Sequence, residues 1–182
     1  EAVVPGKFFS EFVRKLTNDK IELELNDKNQ LKINYTDSES VVQCYNVAEF
    51  PNLELQGEKE HFVLSKKDFK SLVTKSIFST ALDDTRPILK GVCFEISKTE
   101  ITAVGLDGYR LALVKKPVKE SSVETRIVVP AKSLTEISKF LEDSDDDVKI
   151  CVQKNFLMVE IDNTKIISRL IEGDFINYRQ IV

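Results

Sequence analysis

The chain has 182 residues, 42% of them hydrophobic and 31% charged, which suits one or two compact domains. Its net charge of −4 excludes a uniformly basic nucleic-acid-binding domain, although cations gathered on one face would escape that sum. No apolar run approaches the roughly 18 residues of a membrane span, and the opening Glu1-Ala2-Val3-Val4-Pro5 lacks the regions of a secretion signal, so a cytoplasmic location is expected.

The first elements are a short β-branched run at Val3-Val4 and a helical pattern. Phe8, Phe9, Phe12, Val13 and Leu16 recur at spacings of three and four, which places them on one helix face. Strands are predicted over 21–25, 31–35 and 41–47, with a turn at Asn26-Asp27-Lys28-Asn29. A second series begins at Phe62-Val63. Phe69, Leu72, Val73 and Ile77 mark its helix, and Pro87 ends any helix before the next strand. Gly91–Ile96 and Ile101–Leu106 alternate apolar and polar residues, and Asp107-Gly108 predicts a two-residue hairpin turn into a strand over 109–114. The third series opens at Ile127-Val128-Val129. Its helix carries Leu134, Ile137 and Leu141 inward with Phe140 at the edge. Strands follow over 148–152, 157–161 and 165–170, with Lys154-Asn155 as a turn.

These series are copies of one unit. Val3-Val4-Pro5-Gly6-Lys7 resembles Val128-Val129-Pro130-Ala131-Lys132, and Phe50-Pro51-Asn52-Leu53 resembles Phe175-Ile176-Asn177-Tyr178. Both matches are offset by 125 positions (128 less 3, and 175 less 50). The pattern is β-α-β-β-β three times, an α+β chain. One copy has too little surface to bury a stable core alone. Copies two and three, about 58–118 and 125–182, are expected to pair as one domain with two helices side by side and a curved sheet outside. Copy one lacks a partner, so the chain is expected to be a fragment that begins inside a domain.

Opposite the apolar face, each helix carries two cations about two turns apart: Lys7 and Arg14, Lys67 and Lys75, Lys132 and Lys139. Such residues contact phosphates without reading sequence. The alternative is an ordinary solvated helix face. The acidic excess is concentrated in Glu142-Asp143-Ser144-Asp145-Asp146-Asp147. Its alternating aspartates fail as a calcium loop, because Val148 stands where glycine is required and Lys154 where glutamate is.

The residues for catalysis are sparse. Cys44, Cys93 and Cys151 form no C-x-x-C pair and read as small core residues. His61 is the single histidine and reads as a surface turn residue. No phosphate-cradling glycine loop, metal-ligand set or cofactor motif is present. Scattered carboxylates leave open a small hydrolase, and the repeats alone leave open an unrelated peptide-binding module.

Gly91-Val92-Cys93-Phe94-Glu95-Ile96 and Val104-Gly105-Leu106-Asp107-Gly108-Tyr109-Arg110-Leu111-Ala112 resemble the middle domain of the bacterial DNA polymerase III β subunit, the sliding clamp family. Phe50-Pro51-Asn52-Leu53 resembles the segment joining its first and second domains, and Gly173-Asp174-Phe175-Ile176-Asn177-Tyr178-Arg179 the end of its second. The resemblance implies a DNA-clamp fold, with residues 1–53 as the second half of domain one and 54–182 as domain two. It implies a non-enzymatic processivity factor, with no cofactor and no metal, whose helices line a ring around duplex DNA. The full-length family protein forms a homodimeric ring, and the present chain is expected to be monomeric or to associate through a non-native contact. The resemblance also implies a pocket for Gln/Leu/Phe-rich peptide motifs of the replicative polymerase, clamp loader and repair proteins. Leu89, Gly108, Tyr109, Arg110, Leu111, Ile176 and Ile181 match its lining. Ile176 stands where proline is usual, and Gln180 where arginine is frequent. The DNA-contact loop corresponds to residues 83–90, with Arg86 and Lys90 as its cations and Pro87 and Ile88 where aromatics are common.

Overall fold

Helices and hairpins alternate along the chain as the repeat requires. The computed structural model describes residues 1–17, 20–35, 38–51 and 60–180, and divides into two units, Glu1–Gln56 and Gly57–Val182. The expected boundary at residues 53–54 lies outside the described residues.

The first unit contains α1 (Gly6–Arg14), β1 (Glu22–Leu25), β2 (Gln30–Tyr35) and β3 (Ser38–Gln43), in an antiparallel sheet of order β1-β2-β3. The Asn26 side chain accepts hydrogen bonds from the Lys28 and Gln30 amides, which closes the turn while Asn29 takes φ 57°. Leu31, Ile33, Val42 and Cys44 are buried, with Phe9 and Phe12 packed on them. The Phe12 ring meets Tyr35 edge-on at 5.9 Å. Three expectations need correction. Phe8 is 54% exposed instead of facing the core. Val3-Val4 supplies a single bridge, from Val3 to Tyr45. The third strand ends at Gln43, because the Asn46 side chain accepts from the Ala48 amide and starts a 3-10 turn at Val47–Glu49.

The second unit begins with β4 (His61–Ser65) and α2 (Lys66–Ser76). It continues through β5 (Gly91–Ile96), β6 (Glu100–Leu106), β7 (Leu111–Pro117), β8 (Glu120–Ser121) and β9 (Thr125–Pro130) to α3 (Ala131–Ser138). It ends with β10 (Asp147–Gln153), β11 (Phe156–Ile161) and β12 (Thr164–Arg169). Two antiparallel sheets result, of order β12-β11-β10-β4-β8 and β7-β6-β5-β9. The expected halves at 58–118 and 125–182 each contribute strands to both sheets. Each series lends its first strand to the other's sheet: β4 pairs with β10, Leu64 opposite Val148, and β9 with β5, Val129 opposite Val92. The halves are contiguous in sequence but interleaved in space.

One backbone bond recurs in all three copies. Tyr45 N–H donates to the Val3 carbonyl at 2.7 Å, Lys119 to Val63 at 2.9 Å, and Ile171 to Val128 at 2.8 Å. Each acceptor lies three residues before the start of its helix. The bond ties the strand entering the helix to the end of the hairpin that follows it, so the repeat is one of geometry as well as of letters.

α2 buries Phe69, Leu72 and Val73, and α3 buries Leu134 and Ile137. The helices pack against one another and share one core with Phe62, Leu64, Val92, Phe94, Val129, Ile150 and Val159 from both sheets. The fold is thus α+β, with paired helices on antiparallel sheets. Ser65 caps α2 by accepting from the Asp68 amide at 3.1 Å. Cys44, Cys93 and Cys151 are all buried thiols, as their apolar neighbours implied. His61 is not a turn residue. It sits in β4, half-buried, with Nε2 3.3 Å from Glu120 and its backbone N–H donating to Ser122 Oγ at 2.9 Å. It therefore braces the two-residue strand β8, which the sequence pattern does not announce.

Candidate functional site

The cations expected to face DNA are exposed on their helices. Lys67 and Lys75 lie on α2, Lys132 on α3 with Lys139 just past its end, and Lys7 and Arg14 on α1. Lys67, Lys75 and Lys132 make no ion pair with a described residue, whereas Lys139 meets Glu136 one turn back at 2.7 Å. Lys66 behaves otherwise. Although adjacent to Lys67, it is 4% exposed and its ammonium bonds both oxygens of Asp162, at 2.9 and 3.1 Å. That hydrogen-bonded carboxylate holds Lys66 above its ordinary pKa, against the opposing effect of desolvation. Lys66 is thus a tie from α2 to the β11–β12 turn. Helical rotation alone cannot announce this, because the partner lies 96 residues away.

In the loop before β5, Thr85 N–H donates to Asp83 Oδ1 at 2.9 Å, and a 3-10 turn over Pro87–Lys90 leads into the strand. Arg86 is exposed. Lys90 is engaged by the Asp84 carboxylate, so its charge is partly matched within the loop.

Three of the residues expected to line a peptide pocket come together. Leu89, 2% exposed, is buried with Cys93, Val104, Leu106, Val128, Phe175 and Tyr178. Leu111 and Ile176 are partly buried against the same cluster. Leu89 reaches it because Pro87 starts the 3-10 turn and the Leu89 carbonyl accepts from the Ala81 amide at 2.8 Å. Leu89 is therefore buried within this cluster, and Leu111 and Ile176 pack against it partly exposed.

Gly108, Tyr109 and Arg110 stand on the exposed loop that delivers Leu111, and Tyr109 is fully exposed. The expected two-residue turn at Asp107-Gly108 is corrected here. Leu106 pairs with Leu111, so the loop is Asp107–Arg110, with Gly108 at φ 95°. Asp107 organises it. One carboxylate oxygen accepts the Tyr109 and Arg110 amides at 2.9 and 3.0 Å, and the other accepts Arg110 Nε at 2.8 Å. These bonds, the Tyr109 amide first, lower the Asp107 pKa to about 2. Ile181 lies outside the described residues.

Sequence reasoning missed the groups that hold Ile176. Arg126 Nη2 donates to the Ile176 carbonyl at 3.3 Å. Tyr178 donates its hydroxyl to Glu95 Oε2 at 2.8 Å, and burial, then that bond, raise the Tyr178 pKa. No local motif marks Glu95 or Arg126, and only their cross-strand register brings them together. Among the described residues, no group of His, Cys, Asp and Glu is placed to hold a metal ion.

The profile of the DNA polymerase III beta subunit, central domain, matches residues 63–177, well over half of the chain. The chain belongs to the DNA polymerase III beta subunit family. It is 30% identical over 173 residues to the beta sliding clamp of Staphylococcus epidermidis, covering 95% of this chain and 46% of that protein. It is 29% identical, with the same coverage, to the beta sliding clamp of Staphylococcus aureus. Among solved structures, the DNA polymerase sliding clamp from Bacillus subtilis superposes with a TM-score of 0.89 at 28% identity, covering 98% of this chain and 47% of that one. The chain spans about half the length of the curated relatives it matches. Within this beta subunit family member, the matched central region contains Leu89, the Asp107–Arg110 loop, Leu111 and Ile176, and also α2 and α3. Lys7 and Arg14 lie before it.

Proposed function

We propose that this chain is part of a processivity factor for DNA replication, a ring that encircles duplex DNA and tethers the replicative polymerase without catalysing a reaction. Residues 1–53 are assigned to the second half of the first clamp domain and 54–182 to the second domain. The full-length protein closes as a homodimer, in the cytoplasm where replication takes place. Lys7, Arg14, Lys67, Lys75, Arg86, Lys90, Lys132 and Lys139 meet the phosphate backbone. Contacts of this kind are weak, sequence-independent and salt-sensitive, which suits sliding.

Polymerase, clamp loader and repair proteins dock through short Gln/Leu/Phe-rich motifs at Leu89, Gly108, Tyr109, Arg110, Leu111 and Ile176, with Ile181 beside them. The observation that carries this reading is the convergence of Leu89, Leu111 and Ile176 on one apolar cluster next to the Asp107 loop. Each leucine or phenylalanine side chain buried there would contribute about 1.5–3 kcal/mol, less the cost of ordering an extended peptide.

Calorimetry tests the reading with a synthetic peptide rich in glutamine, leucine and phenylalanine. Leu111→Asp places a charge on the apolar surface and is expected to abolish binding while thermal melting shows a folded chain. Unchanged affinity in the folded variant would place the peptide elsewhere and refute the assignment.

A further inference from the structure

The segment that carries Ile176 lacks a ladder of its own. Ile171 N–H still bonds the Val128 carbonyl, but among the described residues the stretch from Glu172 to Gln180 makes no backbone hydrogen bond to the sheets. Its backbone bonds are local, from Tyr178 to Ile176 at 2.9 Å and from Gln180 to Asn177 at 3.4 Å. Side chains must therefore set its position, and they grip it on both sides of Ile176.

Glu95 on β5 and Arg126 on β9 are directly opposed across the strands. Arg126 Nε lies 3.4 Å from Glu95 Oε1 and 3.2 Å from Cys93 Sγ. Its guanidinium carbon stands 5.7 Å from the centre of the Phe175 ring, and Nη2 donates to the Ile176 carbonyl. On the far side of Ile176, Glu95 Oε2 accepts from the Tyr178 hydroxyl and from Arg179 Nη2 at 2.7 Å. Both carboxylate oxygens are thus in use, one toward the sheet and one toward the segment. Phe175 and Tyr178, 6% and 3% exposed, fill the apolar cluster on either side of Ile176.

We propose that Glu95 and Arg126 are positioning residues of the peptide cleft: their paired side chains latch the Phe175–Arg179 segment and hold Ile176 against Leu89 and Leu111. The proposal rests on the cleft assignment above but concerns residues that line no part of the apolar surface. A planar guanidinium suits the task, because it serves the Glu95 carboxylate, the Ile176 carbonyl and the Phe175 ring face together, which a lysine ammonium cannot. The carboxylate accepts charge-assisted bonds, which are stronger than neutral ones.

The test compares Glu95→Ala, Glu95→Gln and Arg126→Gln with the parent chain. The first readout is amide hydrogen exchange at Tyr178 and Gln180, the two amides of the segment with a backbone acceptor among the described residues, which needs no ligand. Exchange is expected to accelerate about tenfold in Glu95→Ala and Arg126→Gln, with exchange elsewhere in the second unit unchanged. Glu95→Gln keeps an acceptor for Tyr178 and should restore part of the protection. The second readout is affinity for the synthetic Gln/Leu/Phe-rich peptide, expected to fall about tenfold in step with the lost protection. Exchange that stays at the parent level in both Glu95→Ala and Arg126→Gln overturns the latch. Faster exchange with parent-level affinity overturns its role in the cleft. If Leu111→Asp binds as well as the parent, the cleft assignment has failed, and with it the latch's part in binding. The exchange readout still decides whether the latch exists.

Discussion

The carbonyl oxygen of Ser76 occupies the space a side chain on Gly105 would need. A Cβ placed on Gly105 would lie 2.1 Å from that oxygen, closer than any real contact. β6 therefore approaches the end of α2 as closely as backbone allows, and this seats the helix on the sheet that continues into the Asp107 loop. Gly105→Ala is expected to push α2 away and to destabilise the second unit by about 1–3 kcal/mol, the usual cost of overpacking. Chemical denaturation would show this as a lower midpoint. An unchanged midpoint would mean that the helix end gives way freely.

The loop before Leu111 should be acid-resistant down to a defined limit. Asp107 has its pKa lowered from 3.8 to about 2 by bonds from Tyr109 and Arg110. A carboxylate with a depressed folded-state pKa stabilises the fold fully above its unfolded value. That contribution is lost as pH falls from near 4 toward 2. Carboxyl carbon titration by NMR should therefore give a midpoint near 2 for Asp107, with the Tyr109 and Arg110 amide shifts following the same curve. A midpoint near 4 would show that the bonds are not held in solution.

Contact with DNA should follow the exposed cations of α2 and α3. Replacing Lys67, Lys75, Lys132 and Lys139 together by alanine should weaken binding to duplexes of any sequence. The slope of log K against log salt should drop by about 0.9 for each phosphate contact removed. Lys139 is already matched by Glu136, so its single replacement should matter least of the four. Titration at several salt concentrations checks this. A quadruple variant with the parent's slope would place the DNA elsewhere.

Local pattern and resemblance made different parts of the molecule legible. The helix faces at Phe69, Leu72, Val73, Leu134 and Ile137 are read directly from spacing, because burial at a period of 3.6 leaves its mark in the sequence. The Lys154-Asn155 hairpin is equally local, with Gln153 pairing Phe156. Pairings between distant strands leave no such mark. Nothing near Leu64 announces that its partner is Val148, or that Lys66 will be buried on Asp162. Leu89, Leu111 and Ile176 came forward through family resemblance. Arg126 and Glu95 did not, because each looks like any other charged residue on a strand until the register opposes them.

The exchange of first strands makes a prediction about folding. A half cut at the β8–β9 connection keeps its helix and three-stranded hairpin series but loses the strand that completes its sheet. The 60–121 half lacks β9, so the β5 edge with Val92, Phe94 and Ile96 is stripped, and the 125–182 half loses β4 from beside Ile150 and Val148. Each half also loses its share of the common core between α2 and α3. A chain of about 60 residues buries too little surface to tolerate that, and an open apolar edge recruits other chains. Each isolated half is therefore expected to show no cooperative melting transition. A mixture of the two, or the chain cleaved at residues 122–124 after folding, should retain one, because every strand pair and both helices are then restored. Circular dichroism melts of the halves, the mixture and the cleaved chain decide the matter. A cooperative transition in either half alone would show that the exchanged strands are dispensable and that each copy folds on its own hairpin series.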